Sequence, residues 1–333
     1  MTINKIGIVG GGAWGTALAQ TCCRSGKDVI IWARENETVE DINSRHVNKL
    51  YLPDVKLDNT LFATGDLSTL GDCDAILMVA PAQRVREVSQ KLCQYVSHQM
   101  PLVICSKGIE QNSGKLMSEV VSETLPQSEI AVLSGPTFAI EIALGLPAAL
   151  SLATPDEVFG RELAHAISNP LFRTYWSNDI VGAQIGGAIK NVLAIAAGIA
   201  TGKKMGTNAH AALITRGFSE LVQFGTALGG KPETISGLSG LGDLVLTCSS
   251  NKSRNMSLGY ALGQGQTIEQ ILNQRNSVTE GVYTASATMA IAIKYQVDMP
   301  ICAAVNAVLS GQKTVDEAIE SLLSRPLRSE TLN

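Results

Sequence analysis

Short apolar runs alternate with amphipathic stretches through the first half of the chain. Runs at 5–9, 28–32, 75–79, 102–105, 130–133 and 148–152 have strand length, and a weaker one covers 172–175. Runs this short and this apolar read as strands covered on both faces. Turn signals follow them: glycines at 10–12, Ala-Arg-Glu at 33–35, Pro81, Lys-Gly at 107–108 and Gly-Pro at 135–136. Strand and helix in alternation predict an α/β fold, a doubly wound parallel sheet wrapped by helices. After Asp179 the period changes. Stretches rich in Ala, Ile and Leu at 180–200, 208–228, 257–272, 282–296, 301–308 and 314–323 read as helices, and strand-like alternation disappears. The chain therefore divides near 178, into an α/β part (1–178) and an all-α part (179–333), with residues 177–179 capping the first long helix. The polar tail from Pro326 is expected to fray.

A length of 333 residues fits that division, at roughly 150 residues per domain. A formal charge of −4 argues against a nucleic-acid partner, which would need a basic face. Seven cysteines are scattered without a CxxC pair, and the four histidines stand apart with no HExxH. Reduced thiols in a cytoplasm fit this better than disulfides, and no metal site is expected. The opening MTINKIGIVGGG runs straight into a strand, so no signal peptide is expected. The stretch 180–200 has the length of a membrane span. It carries Lys190 and Asn191 at its middle, and four glycines. A charge at a bilayer centre costs about 3 kcal/mol or more, so a buried helix of a soluble domain is the expected reading.

The segment IGIVGGGAWGTALA joins the first strand to the first helix. Gly10, Gly12 and Gly15 fit GxGxxG. The first permits a tight turn, the second lets backbone approach a pyrophosphate, and the third lets helix close on strand. The helix from Ala13 then aims its N–H groups and positive dipole end at the phosphates. A Rossmann-type dinucleotide site is expected, with a glycine turn without ligand as the plain alternative. An NAD-selective site would usually end the second strand on an acidic residue. Here Ala33 and Arg34 stand there, and a guanidinium can pair with a 2′-phosphate or stack on adenine. NADP(H) is thus expected to be accepted beside NAD(H). A solvated arginine at a helix start is the other reading of Arg34, and the neighbouring Glu35 works against selection.

The full loop GGGAWGTALA is followed in order by CSKGIE (105–110), LSGPTFAIEIALGLPAA (133–149), GGAIKNVLAIAAGIATG (186–202), GLSGLGDLVLTCSSNKSRNMSLG (237–259) and VTEGVYTA (278–285). Across nearly the whole chain this set resembles bacterial glycerol-3-phosphate dehydrogenase. The resemblance implies a Rossmann domain, a helical C-terminal domain, and NAD(P)H-dependent reduction of dihydroxyacetone phosphate to sn-glycerol 3-phosphate for phospholipid synthesis. Homodimers are common in that family. One position departs from it: Ala13 stands where a serine hydroxyl often touches pyrophosphate, which leaves Trp14 beside it to packing.

Hydride transfer to a ketone leaves an alkoxide that needs a proton, so a donor must sit beside the carbonyl. Lys190, mid-helix among apolar neighbours, can be that donor, because burial lowers an ammonium pKa. On its own it reads equally as a lysine snorkelling to the surface. The resemblance makes it the catalytic residue. Lys107 follows a strand at the carboxyl edge of the sheet, where such folds bind ligands, although alone it reads as an exposed loop lysine. The resemblance has it touch both substrate and cofactor. Asp243 in GLGDL reads equally as a helix cap. The resemblance assigns it to orienting Lys190 and the substrate hydroxyls. Ser253, Arg254 and Asn255 put a hydroxyl, a guanidinium and an amide in one turn before a helix from Met256, suited to a dianionic phosphate, though such runs also begin ordinary helices. The resemblance makes all three substrate ligands, with Arg254 reaching the cofactor. It also brings Gly135 and Thr137 to the substrate, and Ala13, Trp14, Ala139, Val278 and Glu280 to the cofactor. As bare residues, Val278 would read as core and Glu280 as surface.

Three rivals follow from the same residues. A two-domain hydroxyacid dehydrogenase would need a carboxylate clamp and no Ser-Arg-Asn turn. A dinucleotide sensor would have no reason to place Lys190 inside an apolar helix. A membrane-anchored protein would not tolerate it there.

Overall fold

The computed structural model describes residues 3–97, 99–273 and 279–327. Eight strands form one sheet: β1 (Lys5–Val9), β2 (Asp28–Trp32), β3 (Phe62–Thr64), β4 (Ala75–Met78), β5 (Pro101–Ile104), β6 (Glu129–Ser134), β7 (Ala148–Ala153) and β8 (Phe172–Ser177), in the order 3-2-1-4-5-6-7-8. The six from β3 to β6 pair in parallel. β7 then runs antiparallel to β6, with Leu133 opposite Leu152, and β8 runs parallel to β7. The sheet is therefore only mostly parallel. An apolar run carries no sign of direction, so periodicity could not mark this reversal. β3 was also unmarked, being three residues long.

Helices α1 (Ala13–Arg24), α2 (Asn36–Glu40), α3 (Val85–Leu92), α4 (Met117–Thr124), α5 (Ala139–Ala143) and α6 (Glu157–Ile167) connect the strands. Apolar side chains from both faces of the sheet pack beneath them in two separate cores. β1 and β4 are neighbours at the point where strand order reverses, so the crevice outside their carboxyl ends is the ligand position of such folds.

Beyond β8, Asp179 caps α7 (Ile180–Gly202) by accepting from Gly182 N at 2.8 Å. Then follow α8 (Gly206–Ala227), α9 (Pro232–Ile235), α10 (Asp243–Cys248), α11 (Arg254–Gly263), α12 (Ile268–Asn273), α13 (Glu280–Tyr295), α14 (Pro300–Leu309) and α15 (Val315–Leu323). The expected helix at 257–272 is two helices, because Gly265 turns the chain at φ +91. α7 has the length and composition of a membrane span, and 89% of its most apolar window is buried inside the protein. It forms the centre of the third core.

Glycines let α11 lie directly on α7. A Cβ at Gly198 would fall 2.1 Å from Met256 O, one at Gly202 2.4 Å from Tyr260 O, and one at Gly259 2.0 Å from Ile195 O. Both helices thus present bare backbone to each other at a spacing of four residues. This seam fixes the start of α11 relative to the middle of α7. Gly259→Ala forces backbone apart rather than displacing a side chain, and overpacking of that kind costs about 1–3 kcal/mol or more. We expect the midpoint of thermal unfolding to fall by about 2–4 °C; an unchanged midpoint would mean the helices separate freely.

Candidate active site

The glycine loop is built as its spacing requires. Gly10 adopts φ +128, and a Cβ at Gly15 would fall 1.8 Å from Gly10 O. At Gly12 an added Cβ meets nothing within 4 Å, so the loop faces open space there. Gly12 is the N-cap of α1, with no side chain folded over the first turn and no acidic residue in it. The N–H groups of Ala13, Trp14 and Gly15 therefore crown a cradle fit for a pyrophosphate. Asn48, which sequence reasoning missed, pins the loop by donating to Gly11 O at 2.9 Å and to Thr16 Oγ1 at 2.8 Å. Trp14 packs against the sheet core. Arg34 follows β2 with a highly exposed side chain whose guanidinium pairs with Glu35 at 2.7 Å.

Two lysines share one carboxylate. Lys190 Nζ donates to Asp243 Oδ1 at 2.6 Å and to Thr247 Oγ1 at 3.0 Å. Lys107 Nζ donates to Asp243 Oδ2 at 2.6 Å and to Gly135 O at 3.0 Å. The Asp243 side chain is fully buried and that of Lys190 is 8% exposed. Neither the snorkelling reading of Lys190 nor the loop reading of Lys107 survives this geometry. The capping reading of Asp243 also fails. Asp243 is the first residue within α10, Gly242 precedes it as the cap, and the carboxylate is turned onto the lysines. Thr247 was unmarked, although it lies four residues after Asp243 and so on the same helical face.

Burial pushes the Lys190 ammonium down to about 8. Asp243 opposes that shift and the Lys107 charge adds to it. Gly187 lets the cluster close up: a Cβ there would fall 2.9 Å from Ser134 Oγ and 3.3 Å from Lys107 Cδ.

α11 begins at Arg254, two residues earlier than expected, with Ser253 as its cap accepting from Met256 N at 3.2 Å. Arg254 is exposed at its first turn, while Ser253 and Asn255 are buried. Asn255 bonds to Asn191, also unmarked, through Nδ2 to Oδ1 at 2.9 Å. Gly135 takes φ +157, and its carbonyl accepts from Thr137 Oγ1 at 3.3 Å as well as from Lys107. Ala139 opens α5 just beyond. Glu280, the first residue of α13, is half-buried rather than surface. Its Oε1 accepts from Ala82 N at 3.2 Å, and Oε2 is buried without a hydrogen-bond partner among the described residues. Burial pushes this carboxyl up to about 7, against the pull of Ala82 N–H and Arg254. Val278 lies outside the described residues.

Two family models divide the chain between them: NAD-dependent glycerol-3-phosphate dehydrogenase N-terminus over residues 5–159, and C-terminus over 179–320. The chain belongs to the NAD-dependent glycerol-3-phosphate dehydrogenase family. It is 55% identical over 330 residues to a glycerol-3-phosphate dehydrogenase [NAD(P)+] of Caulobacter vibrioides, covering 99% of this chain and 100% of that one. It is 52% identical to one of Parvibaculum lavamentivorans, covering 99% of each. A crystal structure of glycerol-3-phosphate dehydrogenase from Coxiella burnetii superposes with a TM-score of 0.93 at 38% identity, covering 97% of this chain and 99% of that one. The relatives are named for NAD(P), a dinucleotide whose pyrophosphate suits an open helix N-terminus such as that at Gly12.

The Lys190 value sets a pH dependence with opposite signs in the two directions of a glycerol-3-phosphate dehydrogenase. With Lys190 as proton donor, reduction would need the ammonium form, which is present below about 8 and lost above it. Oxidation needs the neutral amine. We expect kcat/KM for ketone reduction to fall as pH rises through about 8, and kcat/KM for alcohol oxidation to rise over the same interval. Parallel profiles in the two directions would remove Lys190 from the proton step.

Proposed function

We propose that the chain interconverts dihydroxyacetone phosphate and sn-glycerol 3-phosphate in the cleft between the sheet and α7, supplying glycerophospholipid synthesis. The observation that carries this is the buried pair Lys190–Asp243, with Lys107 on the same carboxylate and the Arg254 helix start nearby. Residues 1–178 serve as the cofactor domain and 179–333 as the substrate and catalytic domain. NADPH or NADH, when bound, supplies the hydride that the carbonyl carbon takes up. Gly10, Gly12, Ala13, Trp14 and Gly15 cradle the pyrophosphate through backbone N–H groups. Lys107, Ala139, Arg254, Val278 and Glu280 flank the rest of the cofactor.

Lys190 delivers the second half of the reaction. As the carbonyl carbon gains hydride, its oxygen gains charge, and the ammonium gives a proton to that oxygen. The neutral amine is left hydrogen-bonded to Asp243, whose carboxylate keeps the nitrogen aimed. Oxidation runs the same transfer backwards. Arg254, Ser253, Asn255 and the first turn of α11 grip the phosphate, where guanidinium geometry and the helix dipole both favour a dianion. Gly135 and Thr137 close the substrate from the sheet side. Lys107 places a second positive charge beside the developing alkoxide.

A 2′-phosphate on the cofactor must compete with Glu35 for Arg34. The two residues together suit a site that accepts both cofactors, with Arg34 favouring NADPH. A cytoplasmic homodimer completes the reading: seven free thiols fit a reducing compartment, and dimers are common in the family.

Purified protein is expected to oxidise NADPH or NADH with dihydroxyacetone phosphate; no turnover would overturn the substrate assignment. Lys190→Ala should lose about 10²–10⁴-fold in kcat while cofactor affinity holds. Arg254→Ala should instead raise the KM for the ketone by about tenfold or more, the loss of a charge-assisted hydrogen bond. For the cofactor, the ratio of kcat/KM with NADPH to that with NADH should fall in Arg34→Ala. An unaltered ratio would take selection away from Arg34.

A further inference from the structure

Three buried hydrogen bonds run in series across three helices of the C-terminal half. Gly281 N on α13 donates to Asn255 Oδ1 on α11 at 3.0 Å. Asn255 Nδ2 donates to Asn191 Oδ1 on α7 at 2.9 Å, and Asn191 Nδ2 donates to Gly187 O one turn back at 3.4 Å. Asn255 is 8% exposed and Asn191 6%, so neither has water as an easy substitute. The chain starts on a backbone N–H, which can only donate, and ends on a carbonyl, which can only accept. That polarity admits one orientation for each amide, and both must turn together or not at all. The helices are held at this spacing by a missing side chain: a Cβ at Gly281 would fall 2.6 Å from Asn255 Oδ1 and 2.8 Å from Asn191 O.

Each of the three helices contributes the residue that follows one of the proposed working groups. Gly281 follows Glu280, Asn255 follows Arg254, and Asn191 follows Lys190. Glu280 reaches the sheet strands' side at Ala82, Arg254 is the proposed phosphate ligand, and Lys190 is the proposed proton donor. The far end, Gly187, packs on Lys107.

We propose that Asn191 is a positioning residue whose amide couples cofactor seating to substrate seating, a role that rests on the assignment of Lys190, Arg254 and Glu280 given above. A cofactor settled against Glu280 fixes the first turn of α13. Gly281 then fixes the Asn255 amide, and Asn255 fixes α7 at Asn191, one residue from Lys190. Substrate phosphate at α11 enters the same chain from its middle. Each ligand therefore meets a site already set by the other, and by linkage the effect is reciprocal.

The test is calorimetric titration of sn-glycerol 3-phosphate into the enzyme with and without saturating NADPH, a pair in which both partners are reduced and no turnover occurs. The wild type should bind sn-glycerol 3-phosphate on the order of tenfold more tightly with NADPH present, within the usual range of coupling between sites. Asn191→Ala, which removes both legs of the relay, should bring that factor close to one. Asn191→Asp keeps an acceptor for Asn255 Nδ2 but turns an oxygen onto Gly187 O, so it should retain only part of the coupling. A wild-type factor of one overturns the proposal whatever the variants do. So does a factor that persists in Asn191→Ala. Failure of the underlying site reading shows separately, as Lys190→Ala keeping full turnover.

Discussion

A single carboxylate held between two ammonium groups sets the terms for the rest of the molecule. Asp243 is buried, and both of its oxygens are taken by lysines at 2.6 Å. A charge out of water is tolerable only when paired and hydrogen-bonded. Here one anion serves two cations, so the cluster carries an excess positive charge into a cleft where a phosphate ester is to bind. Removing Asp243 would strand both ammonium groups, the kind of loss that costs about 3–5 kcal/mol. The same carboxylate also fixes geometry. Lys107 arrives from the end of β5, Lys190 from the middle of α7, and their common partner ties the sheet to the helical half at the place where chemistry is proposed.

Glycines make that convergence possible by removing side chains wherever backbone must approach backbone. Along α7, Gly186 meets Ser239 O, where a Cβ would lie 2.3 Å away, and Gly187 admits Lys107. Gly198 and Gly202 admit α11. One helix thus takes the loop before Asp243, the lysine of the sheet domain and the helix of Arg254 on successive faces. Each neighbour is located by contact with main chain, which cannot change rotamer. Lys190 inherits its position from that framework and its orientation from Asp243 and Thr247.

The strands were readable because a strand buried on both faces is a short unbroken apolar run, and the glycine loop because GxGxxG lay between strand and helix. Lys190 stood out as a charge in an apolar helix, and the same anomaly lay next door at Asn191 without being given a role. Asp243 was ambiguous from sequence because a carboxylate at the start of a helix satisfies the capping pattern. Only its three-dimensional neighbours separate capping from ion pairing. Thr247 and Asn48 act through contacts 57 and 37 residues away in sequence, beyond any local pattern. The reversal of β7 belongs to the same class, since pairing direction is a property of two strands together. Glu280 read as surface for a related reason: the backbone N–H that it meets belongs to Ala82, nearly two hundred residues earlier.

The tuning of Lys190 follows from these placements. Burial alone drives a lysine toward the neutral amine, which could accept a proton but not give one. Asp243 alone would hold it firmly charged, able to give a proton only at high cost. Lys107 adds a second positive charge beside it, which disfavours the ammonium form. The three effects meet at about 8, close to working pH, where a proton can move in either direction against a small gradient. An enzyme that interconverts an alcohol and a ketone needs that balance, because the same group must be acid one way and base the other. The second lysine thus helps set the proton affinity of the proposed donor without being the proposed donor itself.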